Sequence, residues 1–296
     1  MSSTTLQHLA NGVSLGSLYA LVAIGYTMVY GILRMINFAH GDIFMMAAYF
    51  AFFGIATFRV PWPFAFIGVI LATALLGMLV ERSAYRPLRD APKNSILISA
   101  IGVSFLLENL ANYLFSGKPK AFPEITFFAN TVVIGGVSIQ VITFFIPAVT
   151  MIILAILLYI INRTKLGMAM RAVSKDYETA MVMGIDINKV IAATFAIGSG
   201  LAAMGAIMWG IKYPQVQPMM GVMPGLKCFI AAVIGGIGNI KGAVIGGFIL
   251  GLGEILLVAK LSSLTGYRDA FAFILLILIL IFRPTGILGE KTTEKV

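Results

Sequence analysis

The chain has 296 residues, of which 59% are hydrophobic and only 11% are charged, and its mean hydropathy is +0.98. Soluble domains carry about a quarter charged residues, so this composition excludes a soluble globular protein and predicts a membrane protein. The net charge is +9. Its basic residues lie in short connectors between apolar runs, as the positive-inside rule describes, and no basic stripe or recognition motif accompanies them. We therefore expect no nucleic-acid partner.

Motifs for catalysis or metal binding are missing from the sequence. It has no P-loop and no H-E-x-x-H segment. The two histidines, His8 and His40, and the single cysteine, Cys228, show no metal-ligand spacing. We therefore expect no catalytic residues, no metal, no cofactor and no enzyme activity.

Apolar runs of membrane-spanning length recur along the whole chain. They cover residues 9–30, 43–58, 64–80, 95–115, 141–162, 190–211, 226–259 and 270–282. The run at 226–259 is too long for one span and is broken by GGIGN at 235–239, so we expect two arms there. The predicted fold is all-α and polytopic, with roughly eight to ten transmembrane or half-spanning helices. It forms a single domain, 1–296, with a first half at 1–115, an outer loop at 116–140 and a second half at 141–296.

The first polar break, GILRMINFAHGDIFMMAA at residues 31–48, interrupts the apolar pattern with charged and polar groups. Such groups are costly in hydrocarbon. One interpretation is a surface loop in which Asp42, directly before an apolar helix, is the N-cap. The other is a re-entrant segment that lines a solute path, and the two are compatible because half-helix N-termini often face substrates. The candidate pathway residues here are Asn37, His40, Gly41 and Asp42.

The GGIGN break has a similar form. In both places a glycine enters an apolar arm, HGDIFMMAAYF from His40 and KGAVIGGFIL from Lys241. We interpret this as a weak internal repeat of two broken or re-entrant segments, a common way to build a transport site. Tight packing is the plainer interpretation of these glycines. The candidate pathway residues here are Gly235, Gly236, Gly238 and Asn239.

Two carboxylates, Glu108 and Glu254, lie inside predicted spans. A carboxylate at a helix centre costs about 2.5–3.5 kcal/mol on insertion scales, so both should face protein or water. For Glu108 a structural role and a pathway role are equally consistent with the sequence. Glu108 and Glu254 are both candidate pathway residues. In an alternative function, Asp42, Glu108 or Glu254 would bind an ion, and the chain would be a stand-alone secondary transporter or channel.

The connector at 163–189 is too long for a simple turn, and its basic residues predict a cytoplasmic location. Residues 169–183 are predicted to form one amphipathic helix that stops at Gly184. We interpret it as a docking element for a cytoplasmic partner, against the plainer alternative of a solvated helix face. The candidate docking residues are Arg171, Asp176, Glu178, Ala180 and Gly184.

Charge also predicts the topology. The basic connectors at 81–93 and 163–189 and the tail residues Arg283, Lys291 and Lys295 should be cytoplasmic. The N-terminus is predicted to lie outside, because the first basic residue, Arg34, comes only after the first apolar run. Pro87 and Pro92 should prevent the 81–93 connector from forming one continuous helix. On the outer side, TVVIGGVSIQV predicts a hairpin, because the glycines at 135–136 separate two β-branched runs.

The segments YALVAIGYTMVYGILRMINFAHGDIFMMAAY, AAVIGGIGNIKGAVIGGFILG and RPTGILG resemble the inner-membrane permease of bacterial branched-chain amino-acid ABC importers. The resemblance covers nearly the whole chain. It implies a subunit in the bacterial inner membrane that works with a second homologous permease, two cytoplasmic ATP-binding subunits and a periplasmic substrate-binding protein, surrounded by lipid. The carried solute would be Leu, Ile, Val or another apolar amino acid, with ATP hydrolysed by the partners.

The resemblance also bears on the docking loop and the substrate. ETAMVMG, from Glu178 to Gly184, matches the E-A-A-x3-G pattern of ABC-importer loops, although Thr179 replaces the first alanine and the downstream I-x-L-P is absent. Permeases of urea and short-amide importers are similar, so these substrates remain an alternative.

Overall fold

The computed structural model describes residues 3–89, 91–134 and 136–289. Its α-helices are α1 (Ser3–Leu33), α2 (His40–Phe52), α3 (Trp62–Val80), α4 (Lys93–Phe115), α5 (Thr126–Ala129), α6 (Val141–Arg163), α7 (Lys165–Lys175), α8 (Tyr177–Val182), α9 (Ile187–Lys212), α10 (Val222–Gly235), α11 (Ile240–Lys260) and α12 (Arg268–Phe282). Its strands are β1 (Lys120–Ala121), β2 (Thr131–Ile134), β3 (Val137–Gln140) and β4 (Gln215–Val216). Gly135, Lys291 and Lys295 lie outside the described residues.

Among the residues that the structure describes, eight helices are long and apolar enough to cross a bilayer. They are Thr4–Leu33, His40–Thr57, Trp62–Leu88, Asn94–Phe115, Val141–Arg163, Ile187–Lys212, Ile240–Lys260 and Thr265–Phe282. Helix α10 is apolar but has only 14 residues, or about 21 Å of length, which is enough for part of a crossing. The prediction of an all-α polytopic membrane protein is confirmed.

Helix α1 lies at the centre of the bundle, and 94% of its most apolar window is buried. It packs along α11 through small residues on both helices. A Cβ atom added at Gly16 would lie 2.9 Å from the Phe248 Cα atom, and one added at Gly247 would lie 2.7 Å from the Ala20 Cα atom. The glycines therefore let the two backbones approach closely, as small residues do in membrane helix pairs.

The first polar break re-enters the bundle. Helix α1 ends at Leu33, yet His40 at the start of α2 contacts Val22, about 16 Å back along α1. The connector therefore runs back into the protein, and the break is not a loop on the surface. The N-cap prediction for Asp42 is wrong, because α2 already begins at His40 after a turn in which His40 N donates to the Asn37 carbonyl.

The second break separates α10 from α11, so the two predicted arms are confirmed. Gly236 and Gly238 have φ angles of 107° and 92°, a region that glycine adopts without steric cost. The Asn239 side chain caps α11 by accepting from Gly242 N at 3.1 Å. The two breaks lie beside each other, since a Cβ atom at Gly31 would be 3.6 Å from Gly238. Whether they form a repeat stays a prediction.

The connector after α3 is more helical than predicted. A π-helical turn, Glu81–Tyr85, and a 3-10 turn, Arg86–Leu88, extend α3 directly. Proline at 87 is compatible with this extension because it stands at the second position of a new turn, where a backbone donor is not needed. The helical path ends at Leu88 and α4 begins at Lys93 after Pro92, so the prediction that the 81–93 connector is not one continuous helix is confirmed.

The docking connector also differs from the prediction. Two helices, α7 and α8, replace the single helix predicted over 169–183. Asp176 divides them, because its backbone is extended and its side chain accepts from Thr179 N at 3.0 Å as the N-cap of α8. Gly184, with φ +81°, follows α8 as predicted. We call the end of the bundle formed by α7, α8 and the 235–239 turn the coupling face.

The opposite end of the bundle, which we call the strand face, carries strands β1 to β4. The predicted hairpin is confirmed, with β2 and β3 paired antiparallel from Thr131 with Gln140 to Ile134 with Val137. Strands β1 and β4 pair as well and tie the 116–140 loop to the segment that leads into α10. The start of α10 is therefore held from the strand face.

Candidate functional site

A cavity of about 230 Å³ lies between α1, α2, α4 and α10. Its lining residues are Tyr26, Phe38, Gly41, Asp42, Ile101, Ser104, Phe105, Glu108, Gly221, Val222, Gly225, Leu226 and Phe229. Three of the predicted pathway residues, Gly41, Asp42 and Glu108, are thus brought together. The walls are mainly apolar and aromatic, and the polar groups are few.

Two helix starts meet at this cavity. Gly41 in the first turn of α2 packs against Gly221 and Gly225 at the start of α10. A Cβ atom at Gly41 would lie 2.6 Å from the Gly221 carbonyl oxygen, and one at Gly225 would lie 2.8 Å from the Gly41 Cα atom. Neither N-cap residue makes a side-chain cap hydrogen bond. The two helix starts at the cavity carry partial positive charge, which the carboxylate of Asp42 in the first turn of α2 opposes.

The polar end of the cavity is acidic. Asp42 is 2% exposed, and its Oδ2 atom accepts from the Ser104 hydroxyl of α4 at 2.5 Å. Its Oδ1 atom has no hydrogen-bond partner within the described part of the chain. Glu108 lies one helical turn after Ser104, on the same side of α4. The sequence analysis missed Ser104, which its position four residues before Glu108 could have indicated.

Asn37 and His40 lie behind the cavity wall, and neither lines the cavity itself. The His40 Nε2 atom is 3.3 Å from the Val22 carbonyl oxygen, and its ring meets the Tyr26 ring edge-on at 5.4 Å. The Asn37 Oδ1 atom accepts from the Tyr85 hydroxyl at 2.7 Å. Both residues bond the re-entrant connector to neighbouring helical segments, and their pathway role stays a prediction.

The GGIGN turn lies at the far end of α10 from the cavity. Gly235 packs against the Gly242 backbone, and its carbonyl accepts from Leu288 N at 2.9 Å. The Asn239 side chain donates to the Leu288 carbonyl at 2.9 Å. These contacts fit the tight-packing interpretation, and none of the four predicted residues of this turn lines the cavity. Their pathway role stays a prediction.

Glu254 is fully buried in a network of charges, away from the cavity. Lys227 Nζ lies 2.9 Å from its Oε1 atom, and Arg268 Nε lies 2.7 Å from its Oε2 atom. The Tyr19 hydroxyl also donates to Oε2 at 3.1 Å, and Lys227 reaches Asp269 at 2.7 Å. The network joins α1, α10, α11 and α12, which fits a structural role. The pathway role of Glu254 stays a prediction.

Side-chain caps shape the docking connector on the coupling face. Thr164, Asp176 and Asp186 each accept from a backbone N–H three residues on, at the starts of α7, α8 and α9. Lys189 hydrogen-bonds the Asp186 carboxylate at 3.1 Å and lowers the pKa of that group. The short helices are therefore fixed by local contacts.

The predicted docking residues lie together on this connector. Arg171, Asp176, Glu178 and Gly184 are exposed, whereas Ala180 is 3% exposed and anchors α8. Arg171 donates to the Ile161 carbonyl at the end of α6. The exposed polar groups therefore face outward around a buried alanine.

An apolar patch on α8, which the sequence analysis missed, surrounds these residues. Its members are Tyr177, Met181, Val182 and Met183, which are 37%, 56%, 85% and 76% exposed. Exposed apolar patches rimmed by polar residues mark protein contact sites, and methionine suits adaptable ones. We call these four residues the α8 patch.

The docking connector also contacts the first break. Arg34 Nη2 donates to the Ser174 carbonyl of α7 at 3.2 Å. Arg34 immediately follows α1, and the connector it opens leads to Asp42 at the cavity. This hydrogen bond therefore links α7 to the connector that precedes α2. Within the described ranges, no three His, Cys, Asp or Glu side chains gather as a metal site.

Sequence comparison places the chain in a known class. The family described as "Branched-chain amino acid transport system / permease component" matches residues 8–280. The high-affinity branched-chain amino acid transport system permease protein BraD of Pseudomonas aeruginosa is 44% identical, over 98% of both chains. LivH of Escherichia coli K12, with the same description, is 43% identical over 98% of this chain and 97% of its own. The chain belongs to this family of permease components, which are transport subunits and not enzymes.

A solved structure has the same fold. PsaBC from Streptococcus pneumoniae, in complex with Fab, aligns with a TM-score of 0.52 over 94% of this chain and 92% of its own, at 14% identity. At that identity the likeness supports the arrangement of helices alone.

Proposed function

We propose that this chain is the membrane-spanning subunit of an ABC importer that moves branched-chain or other apolar amino acids across the bacterial inner membrane. The observation that carries the proposal is the family match over residues 8–280, with relatives at 43–44% identity named for branched-chain amino acid transport. The cavity of about 230 Å³ between α1, α2, α4 and α10 agrees with it. ATP is hydrolysed by partner subunits.

The solute passes the cavity between α1, α2, α4 and α10, with Asp42 and Glu108 as its polar groups. Transport requires that this region open alternately to each side, and two short helix starts packed on each other can separate by small shifts. The Arg34 to Ser174 hydrogen bond supports a link between the docking connector and this region.

The partners follow from the same class. Two ATP-binding subunits dock at the coupling face, where the α8 patch and Glu178 are exposed. A second permease subunit completes the pathway, and a periplasmic binding protein delivers the solute at the strand face. The coupling face is then cytoplasmic and the N-terminus lies outside, which agrees with the basic residues on the coupling face.

Uptake by the assembled transporter in proteoliposomes tests this function. With binding protein present, leucine, isoleucine or valine should accumulate only when ATP is available to the ATP-binding subunits. Uptake of urea or a short amide in place of these amino acids would assign the chain to the alternative importer class. Uptake by this chain alone, under an ion gradient without ATP, would reject the ABC importer in favour of a secondary transporter.

A further inference from the structure

We propose that Asp42 and Glu108 form a binding site for the primary ammonium group of the transported solute, an inference that rests on the proposed function. It identifies the part of the solute that the membrane subunit itself recognises. It also separates amino acids, which carry an ammonium group, from urea and neutral amides, which carry none.

One of the two oxygen atoms of the buried Asp42 carboxylate lacks a hydrogen-bond partner among the described residues. The side chain is 2% exposed and faces the cavity, and only its Oδ2 atom has a partner, the Ser104 hydroxyl. The Oδ1 atom is buried and lacks a hydrogen-bond partner among the residues that the structure describes. A buried carboxylate oxygen without a donor is costly, and a cationic donor entering the cavity would supply the missing contact.

The second observation is the absence of a basic side chain from the described cavity wall. Among the described residues, two charged side chains line the cavity, those of Asp42 and Glu108, and both are acidic. Lys227 follows the lining residue Leu226 on α10, but it is held by Glu254 at 2.9 Å and Asp269 at 2.7 Å. His40 contacts the Val22 carbonyl behind the wall. Neither Lys227 nor His40 therefore pairs with the two carboxylates, which can bind a cationic group of the solute.

The rest of the wall suits an alkyl ammonium. Four aromatic rings line the cavity, those of Tyr26, Phe38, Phe105 and Phe229. Aromatic faces attract ammonium groups and also pack against aliphatic side chains. The volume of about 230 Å³ is below the roughly 300–1,000 Å³ of ordinary ligand pockets, which fits a small solute.

The two carboxylates differ in exposure, and this gives the site a direction. Asp42 is buried beside the start of α10, whereas Glu108 is half-buried on α4. An ammonium group that enters from the more exposed side can therefore meet Glu108 first and then Asp42. Such a site needs only weak binding, which transport requires.

Cysteine modification in the assembled transporter tests the site. Leu226→Cys places a thiol in the cavity wall, in a Cys228→Ala background that removes the only native cysteine. The rates of modification by a cationic and an anionic methanethiosulfonate reagent are compared. We expect the cationic reagent to react at least about fivefold faster, and Asp42→Asn or Glu108→Gln to reduce this ratio, because the carboxylates attract the cation. Glu124→Gln, an exposed carboxylate away from the cavity, is the matched control and should leave the ratio unchanged.

Protection by small molecules completes the test. Leucine and 3-methylbutylamine, which carry an ammonium group, should slow modification, whereas 4-methylpentanoate at the same concentration should not. Equal protection by 4-methylpentanoate, or an unchanged rate ratio in both Asp42→Asn and Glu108→Gln, overturns the ammonium site. Glu108 is only half-buried, so Glu108→Gln should assemble even if Asp42→Asn does not. The rate ratio can then be measured in the Glu108→Gln variant. ATP-driven leucine uptake by the parent transporter is measured in parallel: uptake without ammonium-specific protection rejects only this inference, and protection without uptake rejects only the proposed function.

Discussion

Gly41 in the first turn of α2 packs directly on Gly221, so that a Cβ atom at Gly41 would lie 2.6 Å from the Gly221 carbonyl oxygen. This contact joins the start of α2, at the first polar break, to the start of α10, the helix that precedes the second break. Only residues without a side chain allow two backbones to come this close. The position of the cavity therefore depends on glycine at this point.

Gly41→Ala should destabilise the protein and disable transport. The added methyl group meets backbone on α10, which cannot move aside as a flexible side chain can, and overpacking of this kind costs about 1–3 kcal/mol. We expect a lower thermal midpoint and a large loss of ATP-driven uptake. Gly68→Ala on α3 is the matched control, because an added Cβ there has no neighbour within 4 Å. Equal behaviour of the two variants would contradict the close-packing role.

Glu254→Gln should lower stability strongly. The change leaves the buried ammonium of Lys227 with only Asp269, and removes the charge that Arg268 contacts at 2.7 Å. Removing one partner of a buried ion pair typically costs about 3–5 kcal/mol. The thermal midpoint of the purified transporter measures the effect.

The exposed ion pair of Lys189 and Asp186 provides the control for Glu254. Its side chains are 86% and 48% exposed, and water and salt screen such pairs. Lys189→Met should therefore leave the thermal midpoint unchanged. If Glu254→Gln were equally silent, the buried network would have no structural role, and a pathway role for Glu254 would regain support.

The two helix breaks can be predicted from the sequence because the residues that indicate them lie within the breaks themselves. Charged and polar residues inside an apolar run indicate where the helices stop, and both breaks are found. The partners of these residues are not local. Asp42 meets Ser104, 62 residues away, and His40 meets Val22, 18 residues away, so neither contact follows from a pattern within one segment. The same reason explains why Glu254 could be recognised as needing partners but Lys227 and Arg268 could not be named.

The errors in the prediction have local causes. The helical pattern of residues 169–183 runs through Asp176, and periodicity alone does not show that this side chain caps a new helix. Asp42 has the residue type and position of an N-cap, but the preceding turn at Asn37 starts the helix two residues earlier. In both places a hydrogen bond of the backbone or of a short side chain overrides the apolar period.

Val182→Asp should weaken association with the ATP-binding subunits. Val182 is 85% exposed in the α8 patch, so the substitution does not disturb the core, but a buried unpaired carboxylate at the interface is unfavourable. We expect at least about a tenfold loss of affinity, equivalent to about 1.4 kcal/mol. Co-purification and uptake measure it, and Glu178→Lys should act in the same direction.

The matched control for Val182 is Val133→Asp, which makes the same substitution at a residue 68% exposed on the strand face. It should leave association with the ATP-binding subunits unchanged. Loss of association in both variants would indicate a general effect on folding, and retention in both would remove the α8 patch from the docking surface.

Orientation in the membrane can be tested with single cysteines in the Cys228→Ala background. Lys175 is exposed at the end of α7 on the coupling face, and Lys118 is exposed in the loop on the strand face. In intact cells of a Gram-negative host, a thiol reagent that enters the periplasm but cannot cross the inner membrane should label Lys118→Cys and not Lys175→Cys. In inverted membrane vesicles the result should reverse. Because the two faces are opposite ends of one bundle, the paired result fixes the whole topology, and labelling of Lys175→Cys in intact cells would invert it.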